Sequence, residues 1–140
     1  MDKLYTAKAT AEGGRSGKVR TDDGNLDFNL SMPKSLGGNG TENGTNPEQL
    51  FAAGYASCFD GALNLVAGQD RKKIESKVTA EVTIGKENDG GLALAVVLNA
   101  AVSGVSLEEA KELTEKAHGV CPYSRATRGN IEVTVNTETY

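Results

Sequence analysis

The chain is poor in the residue types that build metal sites and nucleic-acid surfaces. Its 140 residues contain no tryptophan, one histidine and two cysteines. A lone histidine and two cysteines far apart in the chain do not form a clustered zinc motif, so we expect no metal. The net charge is −4, from 15 basic and 19 acidic residues. Without a basic cluster, we expect no nucleic-acid partner. The absence of tryptophan argues against surfaces built on large aromatic anchors.

No apolar run of the secretory type follows Met1. The most apolar stretch, residues 50–67, is interrupted by Asp60 and Asn64, which favours a buried core helix over a membrane span. We therefore expect a cytoplasmic protein with no membrane partner, in which two cysteines are not a structural framework. The length suits a single domain over residues 1–140.

The N-terminal third is predicted to form short strands. Residues 4–11 favour a strand, which a glycine-rich run then interrupts. Residues 18–21 and 26–30 flank Asp22-Asp23-Gly24-Asn25, a turn signal that predicts a hairpin. Residues 31–45 contain four glycines and Pro33, and they predict a loop that covers a surface or shapes a site.

A long helix is predicted to begin at Asn46. Asn46 can cap it, Pro47 suits the first helical position, and Gln49 completes a capping box. We expect the helix to reach residue 66 or 67 and to stop at Gly68. Helical spacing predicts one apolar face that includes Cys58, made of Phe51, Tyr55, Cys58, Ala62 and Leu65.

The second half is predicted to contain a hairpin, a helix and a last strand. Residues 77–84 alternate between polar and apolar side chains, which predicts a strand. Residues 85–91 are predicted to form the turn, and residues 92–102 a second strand that is apolar on both faces. Such a strand suits a sheet between helices and another subunit. Ser106 opens a second capping box and an amphipathic helix that Gly119 ends. Pro122 prevents its continuation, and Ile131, Val133 and Val135 predict the final strand.

Cys58 has two interpretations on this pattern. Most lone cysteines on an apolar helix face are small buried hydrophobic residues, and a desolvated thiol has a raised pKa and is inert. Lowering its pKa by about two units would make it mostly thiolate, which takes roughly 2.7 kcal/mol of preferential stabilisation. An arginine at close range can supply that amount. Arg15, between glycines, is one candidate, and Glu48 is a carboxylate that can hold an arginine fork.

Cys121 and His118 also have structural alternatives. Cys121, between a helix stop and Pro122, is either a plain loop thiol or a redox partner. His118 is the only histidine. A position at a helix end, where the side chain meets the helix dipole, is a simpler interpretation of His118 than a role as catalytic base.

Two segments nevertheless resemble a known family. Residues 46–59 and 117–130 are similar to the two signature segments of the organic hydroperoxide resistance proteins, in the OsmC-like superfamily. Gly13-Gly14-Arg15-Ser16-Gly17 and Leu36-Gly37-Gly38 match the same pattern, so the resemblance covers nearly the whole chain. It implies an α+β, OsmC-like fold with two central helices packed between antiparallel β-sheets, in an intertwined homodimer.

The resemblance also implies a peroxidase without metal, haem or any bound cofactor. Cys58 would attack an organic hydroperoxide and become a sulfenic acid, and Cys121 would resolve it as a Cys58–Cys121 disulfide. Arg15 would stabilise the thiolate, with Glu48 orienting Arg15. The reductant would be an external dithiol, the lipoyl group of a lipoylated protein. The apolar side chains of Phe51, Tyr55 and Phe59 are candidates to contact the alkyl tail of the peroxide.

The sequence leaves three points open. A general OsmC-type peroxidase with looser substrate and reductant preferences is one alternative, and a non-catalytic redox sensor is another. Asp60 stands where the family pattern favours an apolar or small residue. Two positions along a helix correspond to about 200°, so we expect Asp60 to point away from Cys58. A buried acid there needs a partner, for which the other subunit of a dimer is a candidate.

Overall fold

The computed structural model describes residues Met1–Tyr140. Contacts divide the chain into two compact units, Met1–Leu50 and Phe51–Tyr140. The α+β class is confirmed, because three α-helices and two three-stranded sheets make up these units. The expectation of one domain over residues 1–140 stays a prediction.

The first unit holds a small antiparallel sheet. Its strands are β1 (Ala9–Glu12), β2 (Lys18–Thr21) and β3 (Asp27–Asn29), in the order β1-β2-β3. The predicted hairpin is confirmed, with Arg20 opposite Asp27 and Gly24 at a φ of 77° in the turn. The sheet has almost no core within this chain: Leu30 is the one buried hydrophobic residue of the unit, and Leu26 and Phe28 are 44% and 42% exposed.

The loop of residues 31–45 is confirmed, with one short 3-10 turn at Lys34–Leu36. Its far end returns beside its start, because Leu30 and Thr45 form an isolated bridge. The loop therefore delivers the chain directly to the start of helix α1 (Pro47–Gln69).

Helix α1 begins as predicted but only half of the capping box forms. The Asn46 side chain accepts a hydrogen bond from the Gln49 backbone N–H at 2.8 Å. The Gln49 side chain instead accepts from the Thr45 hydroxyl. The predicted stop at Gly68 is wrong. The helix runs to Gln69, and Arg71 takes the left-handed conformation, with a φ of 56°.

The buried face of α1 is rotated from the predicted one. Leu65 is 56% exposed and Cys58 only half-buried. The face in the core is Tyr55, Phe59, Ala62, Leu63, Val66 and Ala67. This stripe also follows helical spacing, but it runs through Phe59 where the prediction ran through Cys58. The apolar length of α1, which would also suit a membrane span, is used in part to build this core.

The second unit packs α1 and α2 (Leu107–Val120) on a sheet of three strands. These are β4 (Glu75–Lys86), β5 (Leu92–Ser103) and β6 (Val133–Thr139). The hairpin of β4 and β5 is antiparallel, with Ala80 opposite Leu98. The expectation of wholly antiparallel sheets is wrong for one pair, because β6 runs parallel to β5. A parallel pairing needs a crossover, which α2 and α3 supply.

The apolar strand β5 is fully buried on one face only. Val96, Leu98, Ala100 and Val102 are buried, whereas the alternate residues are half-exposed. On that second face Asn99 donates to Glu81 at 2.8 Å. Cover by another subunit there stays a prediction.

The end of α2 is the place where the predicted local structure is most clearly wrong. Helix α2 passes through Gly119 to Val120, and the extended backbone of Cys121 ends it. Pro122 does not begin a loop but is the first residue of a further helix, α3 (Pro122–Thr127). Proline suits the first helical position, so the signal was present in the sequence. Cys121 therefore sits at the bend between two helices.

Candidate active site

Arg15 and Glu48, which are distant in the chain, form a bidentate ion pair in the first unit. Arg15 Nη1 donates to Glu48 Oε2 at 2.8 Å, and Nη2 donates to Oε1 at 2.7 Å. The side chains are 30% and 13% exposed. Two parallel hydrogen bonds fix the direction of the guanidinium as well as its position. The predicted meeting of these two residues is thus observed.

A tight turn presents Arg15. It lies in the 3-10 turn Gly14–Ser16, between glycines with left-handed backbone and Gly17. A β-carbon on Gly17 would lie only 1.7 Å from the Glu12 carbonyl oxygen. Only glycine lets the chain close this turn, so the spacing of glycines around Arg15 has a steric cause.

The ion pair holds both partners in their charged forms. The hydrogen bonds from Arg15 lower the pKa of Glu48, against the opposing effect of burial. Glu48 in turn raises the pKa of Arg15. Glu48 also lies in the first turn of α1, where a negative charge is favourable. The guanidinium is therefore a permanent, oriented cation.

The second unit brings the two cysteines together. The sulfur atoms of Cys58 and Cys121 are 3.6 Å apart, and both thiols are free. Cys121 is fully buried, and Cys58, on α1, is partly accessible. A disulfide bond is about 2.05 Å long, so its formation needs an approach of roughly 1.5 Å. A movement of that size lies within the reach of side-chain rotation and a small backbone adjustment.

The surroundings of Cys58 within its own unit favour the protonated thiol. Burial raises the pKa of the Cys58 thiol, and the neighbouring Cys121 raises it further. The backbone N–H of Tyr123 acts in the other direction by hydrogen bonding to the sulfur. The accessible thiol beside a buried one matches the roles of attacking and resolving cysteine, but a cation is still needed to make a thiolate at neutral pH.

Of the three candidate substrate-contact residues, one is accessible. Tyr55 and Phe59 are fully buried, so neither presents a surface to a peroxide. Phe51 is half-buried and lines a cavity of about 540 Å³ together with Tyr123, Leu92, Leu94 and Ile131. The Phe51 and Tyr123 rings lie 6.0 Å apart between their centres. Tyr123, which the sequence did not single out, thus links the cavity to Cys58.

Gly54 makes room for the Tyr123 ring on α1. A β-carbon there would lie 2.7 Å from the Tyr123 hydroxyl oxygen. The absence of a side chain on Gly54 therefore admits an aromatic ring against α1. The close packing holds the α2–α3 bend against the helix that carries Cys58.

His118 lies in the last turn of α2, as expected for a histidine at a helix end. Burial, followed by the charge of Arg128, lowers the pKa of His118. The Nδ1 atom of His118 lies 2.8 Å from the Ser124 hydroxyl. No hydrogen bond joins its ring to either sulfur, so the structure does not form a Cys–His catalytic pair.

Asp60 finds its partner within the chain. Its carboxylate accepts a hydrogen bond from the Ser76 hydroxyl at 2.5 Å, and Asn64 donates to that same hydroxyl at 2.9 Å. The expectation that Asp60 points away from Cys58 agrees with this contact. No group of three or more potential metal-ligating side chains is present.

Comparison with known proteins identifies the family of the chain. The model of the OsmC-like protein family matches residues 38–136. An organic hydroperoxide resistance protein from Xanthomonas axonopodis pv. citri is 53% identical over 133 residues, which cover 94% of this chain and 93% of the relative. The chain belongs to the organic hydroperoxide resistance proteins of the OsmC-like family.

Solved structures from this family share the fold over the full length of the chain. A crystal structure of an organic hydroperoxide resistance protein from Elizabethkingia anophelis is 53% identical, with a TM-score of 0.94 and complete coverage of both chains. The family protein OhrB of Bacillus subtilis is 46% identical, with a TM-score of 0.89, over 97% of this chain and all of the other. The resemblance inferred from the two cysteine segments is therefore confirmed.

Proposed function

We propose that the chain is a thiol peroxidase that reduces organic hydroperoxides to alcohols. The Cys58 thiolate attacks a peroxide oxygen, the O–O bond breaks, and the alkoxide leaves as an alcohol after taking a proton. Cys58 becomes a sulfenic acid. The Cys121 sulfur then attacks the Cys58 sulfur, a disulfide forms, and the hydroxide leaves as water with the Cys121 proton. The names of the relatives support an organic hydroperoxide as substrate.

The observation that carries the proposal is the pair of sulfur atoms 3.6 Å apart. One thiol is partly accessible and the other is fully buried. A peroxide can reach the first, and the second can meet the resulting sulfenic acid without a large rearrangement. Two inert core cysteines would need neither an accessible sulfur nor a second sulfur beside it.

We assign the activation of Cys58 to Arg15. The thiol needs a cation, because burial within its own unit raises its pKa. The Arg15 guanidinium is permanently charged, and both of its terminal nitrogens donate to Glu48. In this proposal Arg15 stabilises the thiolate and polarises the peroxide, and Glu48 orients Arg15. Lowering the thiol pKa by two units corresponds to about 2.7 kcal/mol.

The alkyl tail of the peroxide would lie in the cavity beside Phe51 and Tyr123. This cavity is lined mainly by apolar side chains. Burial of apolar surface stabilises a bound alkyl or aryl group by about 25 cal/mol per Å². Hydrogen peroxide has no such group and gains nothing, so the preference for organic hydroperoxides has a physical basis.

The disulfide would be reduced by an external dithiol, the lipoyl group of a lipoylated protein, with no cofactor bound to the chain. Thiol–disulfide exchange returns both cysteines to the thiol form and leaves the lipoyl group as a disulfide. A general OsmC-type peroxidase would accept other donors. A redox sensor would be oxidised once and would not turn over with dithiol.

The working form is proposed to be a cytoplasmic homodimer. The sheet of the first unit has neither face buried by its own chain, and Phe28 on β3 and Leu26 just before it are exposed. A three-stranded sheet needs a covered apolar face for stability. A second copy of the chain is the partner that the family resemblance implies. Analytical ultracentrifugation of the purified protein tests this by measuring whether its mass in solution is that of a dimer.

The experiment is peroxide consumption by the reduced protein with dihydrolipoamide or thioredoxin as donor. Cumene hydroperoxide should be consumed much faster than hydrogen peroxide, and dihydrolipoamide should sustain turnover. Cys58→Ser should abolish activity, and Cys121→Ser should stop the cycle after one oxidation. Full activity in Cys58→Ser would refute the mechanism.

Ser57→Ala is a matched control on the same helix. The Ser57 hydroxyl is exposed and bonds only to the Ala53 carbonyl, one turn back along α1. This variant should keep the parent's rate. Equal rates with thioredoxin and dihydrolipoamide would favour the general peroxidase, and oxidation without turnover would favour the sensor.

A further inference from the structure

A chain of buried polar groups joins the two segments that carry the cysteines. The Tyr55 hydroxyl lies 2.9 Å from the Ser124 hydroxyl and 3.1 Å from the Thr127 hydroxyl. The Ser124 hydroxyl also lies 2.8 Å from His118 Nδ1. Tyr55 and Ser124 are fully buried, and Thr127 nearly so. We call these four residues the hydroxyl network.

The members of the hydroxyl network are placed around the cysteines with helical spacing. Tyr55 lies on α1, three residues before Cys58. His118 lies three residues before Cys121 and Ser124 three residues after it. The bond between His118 and Ser124 therefore spans the bend at Cys121, and the bond between Tyr55 and Ser124 ties that bend to α1.

The bend at Cys121 depends on such ties. Cys121 has extended backbone, with φ −58° and ψ 123°, between the last turn of α2 and the first turn of α3. Its N–H bonds to the Ala117 carbonyl and its carbonyl accepts from the Arg125 N–H. These bonds hold each helix end locally, but neither of them connects the bend to α1. The hydroxyl network does.

We propose that the hydroxyl network positions Cys121 against Cys58 and thereby makes disulfide closure faster than further oxidation of Cys58. None of its atoms forms a hydrogen bond to a sulfur, so its members are positioning residues and not catalytic ones. The inference rests on the proposed function, because it concerns the sulfenic acid that the peroxidase reaction forms.

Two reactions compete for that sulfenic acid. In closure, Cys121–SH and Cys58–SOH give the disulfide and water. In overoxidation, Cys58–SOH and a second hydroperoxide give Cys58–SO₂H and an alcohol, and the sulfinic acid is not recovered by thiols. Closure is intramolecular, so its rate depends on how well the two sulfur atoms are held. A displacement of about 1 Å in a reacting group can slow a step by about a hundredfold.

Ser124→Ala tests the proposal, because it removes the hydroxyl that bonds to both Tyr55 and His118. Reduced protein is mixed with one equivalent of cumene hydroperoxide, quenched at intervals, treated with an alkylating reagent and weighed intact. The sulfenic acid should appear at the parent's rate, and the loss of two hydrogens that marks the disulfide should be slower by about tenfold or more. With excess peroxide, the form with two added oxygens should increase.

Thr114→Val is the matched control. Thr114 also carries a buried hydroxyl, which lies 2.7 Å from that of Thr137 and has no hydrogen bond to the hydroxyl network. It should lower thermal stability to a similar extent and leave closure unchanged. At His118, asparagine can retain a polar atom near the Nδ1 position and phenylalanine cannot, so His118→Asn should close faster than His118→Phe.

The outcomes separate the two proposals. If the parent never adds an oxygen at Cys58, the proposed peroxidase function fails. If the parent does so but Ser124→Ala closes at the same rate, the positioning role is wrong. If Ser124→Ala and Thr114→Val slowed disulfide closure equally, the cause would be a general loss of packing, and the positioning role would again be wrong. If Ser124→Ala does not fold, Tyr55→Phe carries the same test from the α1 side.

Discussion

Replacing Gly54 with alanine tests the packing that holds the α2–α3 bend on α1. The added β-carbon would lie 2.7 Å from the Tyr123 hydroxyl oxygen and 3.2 Å from two of its ring carbons. Favourable contacts between carbon atoms lie at about 3.5–4.0 Å, so the ring must move. Overpacking of this kind costs about 1–3 kcal/mol.

The intrinsic preference of the helix acts in the opposite direction. Alanine is more favourable than glycine inside a helix by about 0.8–1.0 kcal/mol. The net effect of Gly54→Ala should therefore be a loss of about 0–2 kcal/mol in the free energy of unfolding. Gly61 and Gly68 lie on the same helix with nothing within 4 Å of an added β-carbon. Alanine at either position should raise the free energy of unfolding by about 1 kcal/mol.

The assay is thermal and denaturant unfolding of the three variants, followed by circular dichroism. A change of 1 kcal/mol shifts the melting temperature by about 4 °C for a chain of this size. Gly61→Ala and Gly68→Ala should melt higher than the parent, and Gly54→Ala should not. If Gly54→Ala gained as much stability as Gly61→Ala, the Tyr123 ring would not lie against α1 as described.

The same variant has a chemical readout. The Tyr123 backbone N–H lowers the pKa of Cys58. If the shift of the Tyr123 ring carries its backbone N–H away from Cys58, the pH at which Cys58 becomes half-reactive toward iodoacetamide should rise in Gly54→Ala. It should stay at the parent's value in Gly68→Ala.

Three further predictions concern the ion pair, the histidine and the arginine turn. Glu48→Gln should lower the free energy of unfolding by about 1–2 kcal/mol near pH 7, since the pair is only partly buried. Because the pKa of Glu48 is lowered from 4.5, this difference should shrink as the pH falls below 4.5 through the folded-state value, as measured by urea unfolding. The pKa of His118 is lowered from 6.5 in the folded protein. The free energy of unfolding of the parent should therefore fall relative to that of His118→Asn as the pH drops from 6.5 toward the folded-state pKa. A constant difference between the two proteins from pH 7 to 5 would contradict this. Gly17→Ala would drive a β-carbon into the Glu12 carbonyl, so it should cost about 1–3 kcal/mol in unfolding experiments; unchanged stability would refute the steric argument. Since we propose that Arg15 activates Cys58, the same variant should also lower the rate of Cys58 alkylation at pH 7.

Local signals in the sequence predicted much of the fold. The turn signal at Asp22–Asn25 led to the correct hairpin, and the caps at Asn46 and Ser106 marked the starts of two helices. Such features act over a few residues, so the sequence alone contains their physical cause. Helix ends were less predictable. Both glycine stops were wrong, because a glycine inside a helix costs only about 1 kcal/mol and packing can carry the helix past it.

The arrangement of elements that are distant in the chain was harder to predict from the sequence. The direction of β6 depends on the crossover through α2 and α3, which no local pattern encodes. The rotation of the α1 stripe from Cys58 to Phe59 depends on which side of the helix the sheet covers. Two apolar faces of similar quality exist on α1, and only contact with other elements selects one of them.

By itself, the sequence determined the family and the candidate reactive groups, because the cysteine segments and the arginine turn are contiguous patterns. Tertiary structure alone decided that Arg15 meets Glu48 through two hydrogen bonds, and that the Cys58 and Cys121 sulfurs lie 3.6 Å apart. It also decided that Tyr55 belongs to a buried network with Ser124 and not to a peroxide surface. These contacts join residues from separate elements, and their distances follow from packing and not from spacing along the chain.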